Sequence, residues 1–159
     1  MTCILSQNEL HSIRLKYKEE NKKVVFTNGC FDLIHAGHLD YLIKAKALGD
    51  ILIVALNTDD SIRRIKGEKR PILTQEERAF LISNLKPVDY VTFFDEDTPE
   101  NIINYLIPDI LVKGADWPID KIIGRDVVVN NGGEVKTIEF VNNQSTSNII
   151  NIIVDRYHV

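Results

Sequence analysis

Residues 26–38 read FTNGCFDLIHAGH, and two of the chain's four histidines, His35 and His38, stand three apart within it. Positions i and i+3 share a helix face, so both imidazoles can aim at one group. Gly29 allows a sharp turn and a close approach of ligand to backbone. Gly37 removes the side chain between the two rings, and Asp32 can cap the turn or orient a neighbour. If His35-Ala36-Gly37-His38 opens a helix, the unpaired N–H groups of its first turn already favour an anion. Ring N–H donors set on a phosphate that gains charge in the transition state speed phosphoryl-type transfer. Two competing readings exist. Both histidines could be structural, or Cys30, Asp32, His35 and His38 could hold zinc, although that spacing is loose and no second ligand cluster accompanies it.

Other residues could join this chemistry. Lys66 and Arg70 form a basic pair in a loop ahead of a capped helix, able to reach phosphates or simply to remain solvated. In LVKGADW, Gly114 lets the backbone approach a flat base. Asp116 is either an acceptor for a sugar hydroxyl or a turn cap, and Trp117 either packs or contacts ligand. Ser145-Thr146-Ser147 supplies an N-cap, or three hydroxyls that cradle a phosphate at a helix start. Arg78 reads equally as a functional arginine or a helix-surface charge, and Lys69 as an ordinary surface charge. Asp95-Glu96-Asp97 is read as helix-dipole complementation and solvation, not as a magnesium site. The chain has neither G-x-G-x-x-G after its first long strand nor G-x-x-x-x-G-K-[ST], so dinucleotide dehydrogenases and P-loop kinases find no support.

These residues need elements to position them. Short β-branched runs at Lys23–Asn28, Ile51–Asn57, Tyr90–Phe94, Ile110–Lys113 and Glu134–Phe140 read as strands apolar on both faces, as in a covered parallel sheet. Between them, Leu39, Leu42, Ile43 and Ala47 fall at helical spacing, closed by Gly49. Thr74-x-x-Glu77 is a capping-box pattern, and Thr98-Pro99 opens a further helix. Ile149, Ile150, Ile153, Val154 and Tyr157 stripe a last one. The alternation implies an α/β fold: a Rossmann-like, doubly wound, parallel five-stranded sheet with flanking helices and right-handed crossovers. Ligands of such sheets bind beyond the carboxyl ends of the strands where strand order reverses, which is where FTNGCFDLIHAGH would lie.

The totals bound the rest. A length of 159 residues predicts one domain, with residues 1–22 as an N-terminal helical extension and 23–159 as the catalytic core. A net charge of −4 argues against nucleic-acid binding. Two cysteines make no disulfide framework, and no apolar run suits a signal peptide or a membrane span, so the expectation is a cytoplasmic protein without membrane contact.

The blocks Thr27–His38, Lys66-Gly67-Glu68-Lys69-Arg70-Pro71, Phe94–Pro99, Leu111–Trp117 and Ser145-Thr146-Ser147 recur in order between about Val24 and Ile153. In that order they resemble the nucleotidyltransferase superfamily of the cytidylyltransferases and, more distantly, the class I tRNA synthetases. Within it they are most similar to the D-glycero-β-D-manno-heptose 1-phosphate adenylyltransferases, found alone or fused to a sugar kinase. The resemblance implies transfer from ATP to a sugar 1-phosphate. His35, His38 and Lys66 would be the catalytic residues. Asn28, Gly29, Cys30, Phe31, Asp32, Gly37, Arg70, Lys113, Gly114, Asp116, Ser145, Thr146 and Ser147 would hold the nucleotide. It further implies magnesium carried mainly on the phosphates without protein metal ligands, a homodimer, and a separate sugar kinase upstream.

The chain also departs from the pattern. Relatives carry Glu-Gly and an aromatic or similar residue before Ser-Thr, whereas this chain has Asn142-Asn143-Gln144. Asn143 tolerates the left-handed backbone that glycine supplies. The alternative within the enzyme class is a cytidylyltransferase acting on glycerol 3-phosphate or another small phosphate; such relatives show an arginine ahead of this block, and Phe140 and Val141 stand there instead. A non-catalytic nucleotide-binding module is the other, opposed by the joint presence of His35, His38, Lys66 and Ser145-Thr146.

Overall fold

The computed structural model describes residues 3–139 and 145–157. In chain order its elements are β1 (Cys3–Ile4), α1 (Gln7–Glu19), β2 (Val24–Gly29), α2 (Ala36–Lys46), β3 (Ile51–Asn57), α3 (Asp59–Lys66), α4 (Gln75–Ser83) and β4 (Tyr90–Phe94). There follow α5 (Glu100–Leu106), β5 (Ile110–Gly114), a 3₁₀ turn at Ile119–Lys121, α6 (Arg125–Asn130), β6 (Glu134–Ile138) and α7 (Thr146–Tyr157). The strands form one sheet in the order β1-β4-β3-β2-β5-β6, and every pairing is parallel.

Side chains alternate across a strand, and here both faces are covered. Val25, Leu52, Val54 and Leu56 pack with Leu42, Ala79 and Ile82 from α2 and α4. Val24, Phe26, Ile53 and Ala55 pack on the other face with Leu10, Ile102, Ile103 and Val128 from α1, α5 and α6. Burying each such aliphatic side chain contributes roughly 1.5–3 kcal/mol, which is why β2 and β3 read as unbroken apolar runs. The doubly wound parallel architecture is as expected. The chain builds β2, β3 and β4 outward and then crosses back to lay β5 on the other side of β2. The reversal leaves a crevice beyond the carboxyl ends of β2 and β5.

Two features of the fold differ from the sequence reading. The sheet has six strands, not five, because Cys3 and Ile4 pair with Tyr90 and Val91 at the β4 edge. Residues 1–22 are therefore not purely helical. A two-residue strand carries no periodicity to read. The second difference is α3, capped by Thr58 and followed by Gly67 at φ +94°, a backbone that glycine adopts without strain. Lys66 is consequently the last residue of a helix rather than part of a loop. Phe140, Val141, Asn142, Asn143 and Gln144 lie outside the described residues. Among the described residues no helix is long and apolar enough to cross a membrane.

Candidate active site

The crevice at the strand reversal is a cleft with two lobes. The smaller, about 170 Å³, is lined by Phe31, His38, Tyr41, Gly114 and Asp116. The larger, about 400 Å³, is lined by Asn57, Ile65, Lys66, Asp97, Thr98 and Ile122 among others. Asn28, Gly29, Cys30, Lys113 and Trp117 line both lobes, so the lobes meet at the ends of β2 and β5. Trp117 is half exposed there and is not a core residue.

The histidines come from the start of α2. His35 occupies its N-cap without a side-chain capping bond, and the His38 N–H donates to the His35 carbonyl at 3.0 Å, so the Ala36 and Gly37 N–H groups remain available to a ligand. The two rings stack with centroids 3.9 Å apart, and the Phe31 ring leans on His38 at 5.2 Å. Thr27 and Tyr41 join their hydroxyls at 2.7 Å and so fasten α2 to β2 behind the pair. Burial, with the neighbouring His35 ring adding to it, pushes the His38 imidazole down to about 4; the Leu33 carbonyl opposes this only in part. Burial lowers His35 as well. Both rings are therefore neutral near pH 7, each able to donate through one nitrogen.

Buried polar atoms without a partner are rare in folded proteins and call for an explanation. Among the described residues, such atoms include Asn28 Oδ1 and Nδ1 of His38 at the cleft and both ring nitrogens of His35 beside it, while Arg14 Nη1 and Asp40 Oδ2 line neither lobe. A ligand rich in hydrogen-bonding oxygen satisfies the imidazole donors.

Asp32 does not face the cleft. Its carboxylate is 1% exposed and accepts from Arg70 Nε at 2.6 Å and from the N–H groups of Ile72 and Leu73. It anchors the segment between α3 and α4, and that bond draws Arg70 back with it. Asp32, Arg70, His35, Gly37 and Ser145-Thr146-Ser147 line neither lobe directly. His35 reaches the cleft by its contact with His38. Ser145 Oγ accepts from the Asn148 N–H at 3.1 Å, so it caps α7. With Asp32 turned away, the zinc reading loses a ligand. Among the described residues no three His, Cys, Asp or Glu side chains group to hold a metal ion.

Arg78 is the most informative departure. It is not a helix-surface charge, being fully buried. Its guanidinium donates to the carbonyls of Cys30 at 2.7 Å, Asn57 at 2.9 Å and Leu73 at 3.2 Å, and to Asp59 at 2.7 Å. It thus ties the ends of β2 and β3 to α3 and α4. Of the Asp95–Asp97 cluster, Asp97 pairs with Arg64 Nε at 2.7 Å and lines the larger lobe. Sequence reasoning missed Asn57 and Tyr41. A polar residue ending an apolar strand was the available signal for Asn57; nothing marked Tyr41.

A parallel sheet with this reversal, and a helix N-terminus with paired imidazoles beyond its first long strand, define a nucleotide-handling α/β domain. The chain belongs to the cytidylyltransferase-like family, whose model matches residues 26–152. It is 55% identical over 147 residues to the bifunctional protein HldE of Citrifermentans bemidjiense, covering 92% of this chain and 30% of that protein. It is 54% identical over 140 residues to HldE of Geobacter sulfurreducens, covering 88% of this chain and 29% of that one. The chain therefore spans about 30% of the length of these curated relatives. Among solved structures, the lipopolysaccharide core biosynthesis protein from Thermoplasma volcanium superposes with a TM-score of 0.62 at 32% identity, over 77% of this chain and 99% of that one. Pantoate-beta-alanine ligase from Francisella tularensis shares the fold, with a TM-score of 0.62 at 12% identity over 99% of this chain and 79% of that one.

Proposed function

We propose that residues 1–159 form one catalytic domain that transfers the adenylyl group of ATP to D-glycero-β-D-manno-heptose 1-phosphate, giving ADP-heptose and pyrophosphate. The observation that carries the reading is the pair of stacked imidazoles with unpaired buried nitrogens, His35 and His38, at a helix start beside the strand reversal. A phosphate oxygen of the sugar attacks the α-phosphorus in line, the bond to the β-phosphate oxygen breaks, and pyrophosphate leaves. No side chain becomes covalently attached, so catalysis is positioning and charge stabilisation. His35, His38 and the first turn of α2 hold the triphosphate, and Lys66, from the larger lobe, takes developing charge. Arg70, bonded to Asp32, acts by holding the segment beside the site and not from either lobe, and the Ser145–Ser147 end of α7 likewise stands outside both lobes.

The acceptor is assigned from the order of the motif blocks. It is supported by similarity to HldE proteins and to a structure named for lipopolysaccharide core biosynthesis. Magnesium enters as the chelate of ATP, where it neutralises phosphate charge and keeps oxygen and water ligands. The domain works in the cytoplasm as a homodimer, on sugar 1-phosphate supplied by a sugar kinase.

The test is a matrix of nucleoside triphosphates against sugar 1-phosphates, with pyrophosphate release as the readout. ATP with the heptose 1-phosphate should exceed CTP and GTP. Equal or better turnover with CTP and glycerol 3-phosphate would assign the chain to that cytidylyltransferase class, and binding of ATP without release to any acceptor would make it a binding module.

A further inference from the structure

Lys113 is the penultimate residue of β5, and its backbone is fixed by pairing on the sheet. It is the only charged residue among the five that line both lobes of the cleft. Lys66, by contrast, lines the larger lobe alone and His38 the smaller alone. The Lys113 side chain is half-buried and lines the cleft, and among the described residues no hydrogen bond or salt bridge receives its ammonium. Asp116 and Cys30 act on it only through their longer-range field. Lys46, at the opposite end of the sheet, is unlike it, being bonded to Asp89 and the Asp50 carbonyl. Partial desolvation of an ammonium without a protein partner is costly, and the sheet pairing holds its backbone at the cleft. Such a group is satisfied by an anion that enters the cleft.

We propose that Lys113 is a catalytic residue of the adenylyl transfer: its ammonium stands at the junction of the lobes, between the α-phosphate of ATP and the phosphate of the incoming sugar. The role rests on the function proposed above. Two anions must approach to near-contact before the new bond forms, and their repulsion is part of the barrier. A cation fixed between them offsets it, and hydrogen bonds to both hold the attacking oxygen in line. Lys113 gives up no proton in this step. It donates hydrogen bonds throughout, while the sugar phosphate oxygen bonds to phosphorus and pyrophosphate carries away the displaced electron pair.

The free and bound states should then differ in protonation. Burial lowers the Lys113 amine to about 8 despite the opposing pull of Asp116 and Cys30. The other ionisable groups facing the cleft are His38 and Tyr41 from α2, Lys66 from α3, and Asp97 ahead of α5. Burial holds His38 neutral and keeps the Tyr41 hydroxyl and the Cys30 thiol protonated across this range. An added phosphate restores the charge on Lys113, so binding takes up a proton when the solution is above pH 8 and almost none near neutrality.

The experiment compares wild type, Lys113→Met, Lys113→Arg and the surface control Lys69→Ala. Calorimetric titration with MgATP above pH 8, in two buffers of different ionisation enthalpy, should show proton uptake in wild type and in Lys69→Ala, and none in the two Lys113 variants. In turnover, Lys113→Met should lower kcat by about a hundredfold or more. Its melting temperature should hold or rise, because a partly desolvated charge without a protein partner has been removed; a packing role predicts a fall instead. Lys113→Arg should recover part of the rate and lose the alkaline limb of the wild-type pH profile near 8. Proton uptake that persists in Lys113→Met, or a rate within about threefold of wild type in that variant, overturns the proposal. A wild-type protein that binds ATP with proton uptake but transfers to no sugar phosphate overturns the reaction instead.

Discussion

The paired imidazoles carry the chemistry at the scale of single residues, and their environment sets how they act. Neutral rings donate one N–H each and add no charge to the resting site. The approach of a polyphosphate makes the protonated form less costly, so binding and charge develop together. His38→Ala should leave the fold intact, since the ring lies at the cleft between Phe31 and His35 and not in either core cluster. Turnover should fall by roughly a hundredfold or more, about 2.7 kcal/mol of transition-state stabilisation. His35→Ala should cost at least as much rate. Normal turnover with a lowered melting temperature in both variants would make the histidines structural. The same burial predicts a pH dependence. Between 6.5 and about 4 the unfolded chain holds the His38 proton and the folded chain does not. The unfolded state therefore binds more protons, and stability falls as pH falls through that window and is unaffected by this residue above it. The full effect is on the order of 3 kcal/mol. Denaturant unfolding of wild type and His38→Gln across that range should show wild type losing more stability on acidification. Parallel curves would remove the linkage.

At the scale of elements, the cleft is assembled by buried polar ties that the sequence does not advertise. Arg78 was legible as an arginine on a capped helix, and the capping box of Thr74 and Glu77 is present with both its bonds. Its burial was not legible, because the carbonyls of Cys30, Asn57 and Leu73 converge on it only after β2, β3 and α3 have packed. Asp32 likewise suggested a turn residue, yet its partners Arg70, Ile72 and Leu73 lie about forty positions away. The helix α3 escaped notice because its eight residues include only Ile62 and Ile65 as apolar positions among charges, too short a stripe for periodicity to show. Arg78→Met should leave three carbonyls and Asp59 without their donor. The expected cost is about 3–5 kcal/mol, or roughly 6–20 °C in melting temperature for a chain of this size. Activity should fall with it, since Cys30 and Asn57 line the cleft. A melting temperature within about 2 °C of wild type would return Arg78 to the surface role that its sequence position allowed.

The molecule as a whole is two half-sheets meeting at β2 and β5, and that division explains what sequence could reach. Strand runs buried on both faces, with helices between them, identify a doubly wound sheet from residue types alone, and the reversal rule then locates the site before any contact is known. The edge pairing of Cys3 and Ile4 and the drawing back of Arg70 depend on tertiary contacts, and no local pattern encodes them. Because the cleft straddles the reversal, one ligand should tie both halves together. The end of β2 with the start of α2 belongs to one half, and the end of β5 with Asp116 and Trp117 to the other. Saturation with MgATP at about a hundred times its Kd should add about 2.7 kcal/mol of stability, roughly 5–11 °C in melting temperature. Amide hydrogen exchange resolves where that stabilisation acts. Segments 28–38 and 112–118 should slow together on addition of ATP, with the end of α3 near Lys66 following. The second turn of α1, whose face packs on α5 away from the cleft, should keep its unliganded rate under conditions where exchange proceeds by local opening. Protection of 28–38 with 112–118 unchanged would confine the nucleotide to one half of the sheet and separate LVKGADW from its binding.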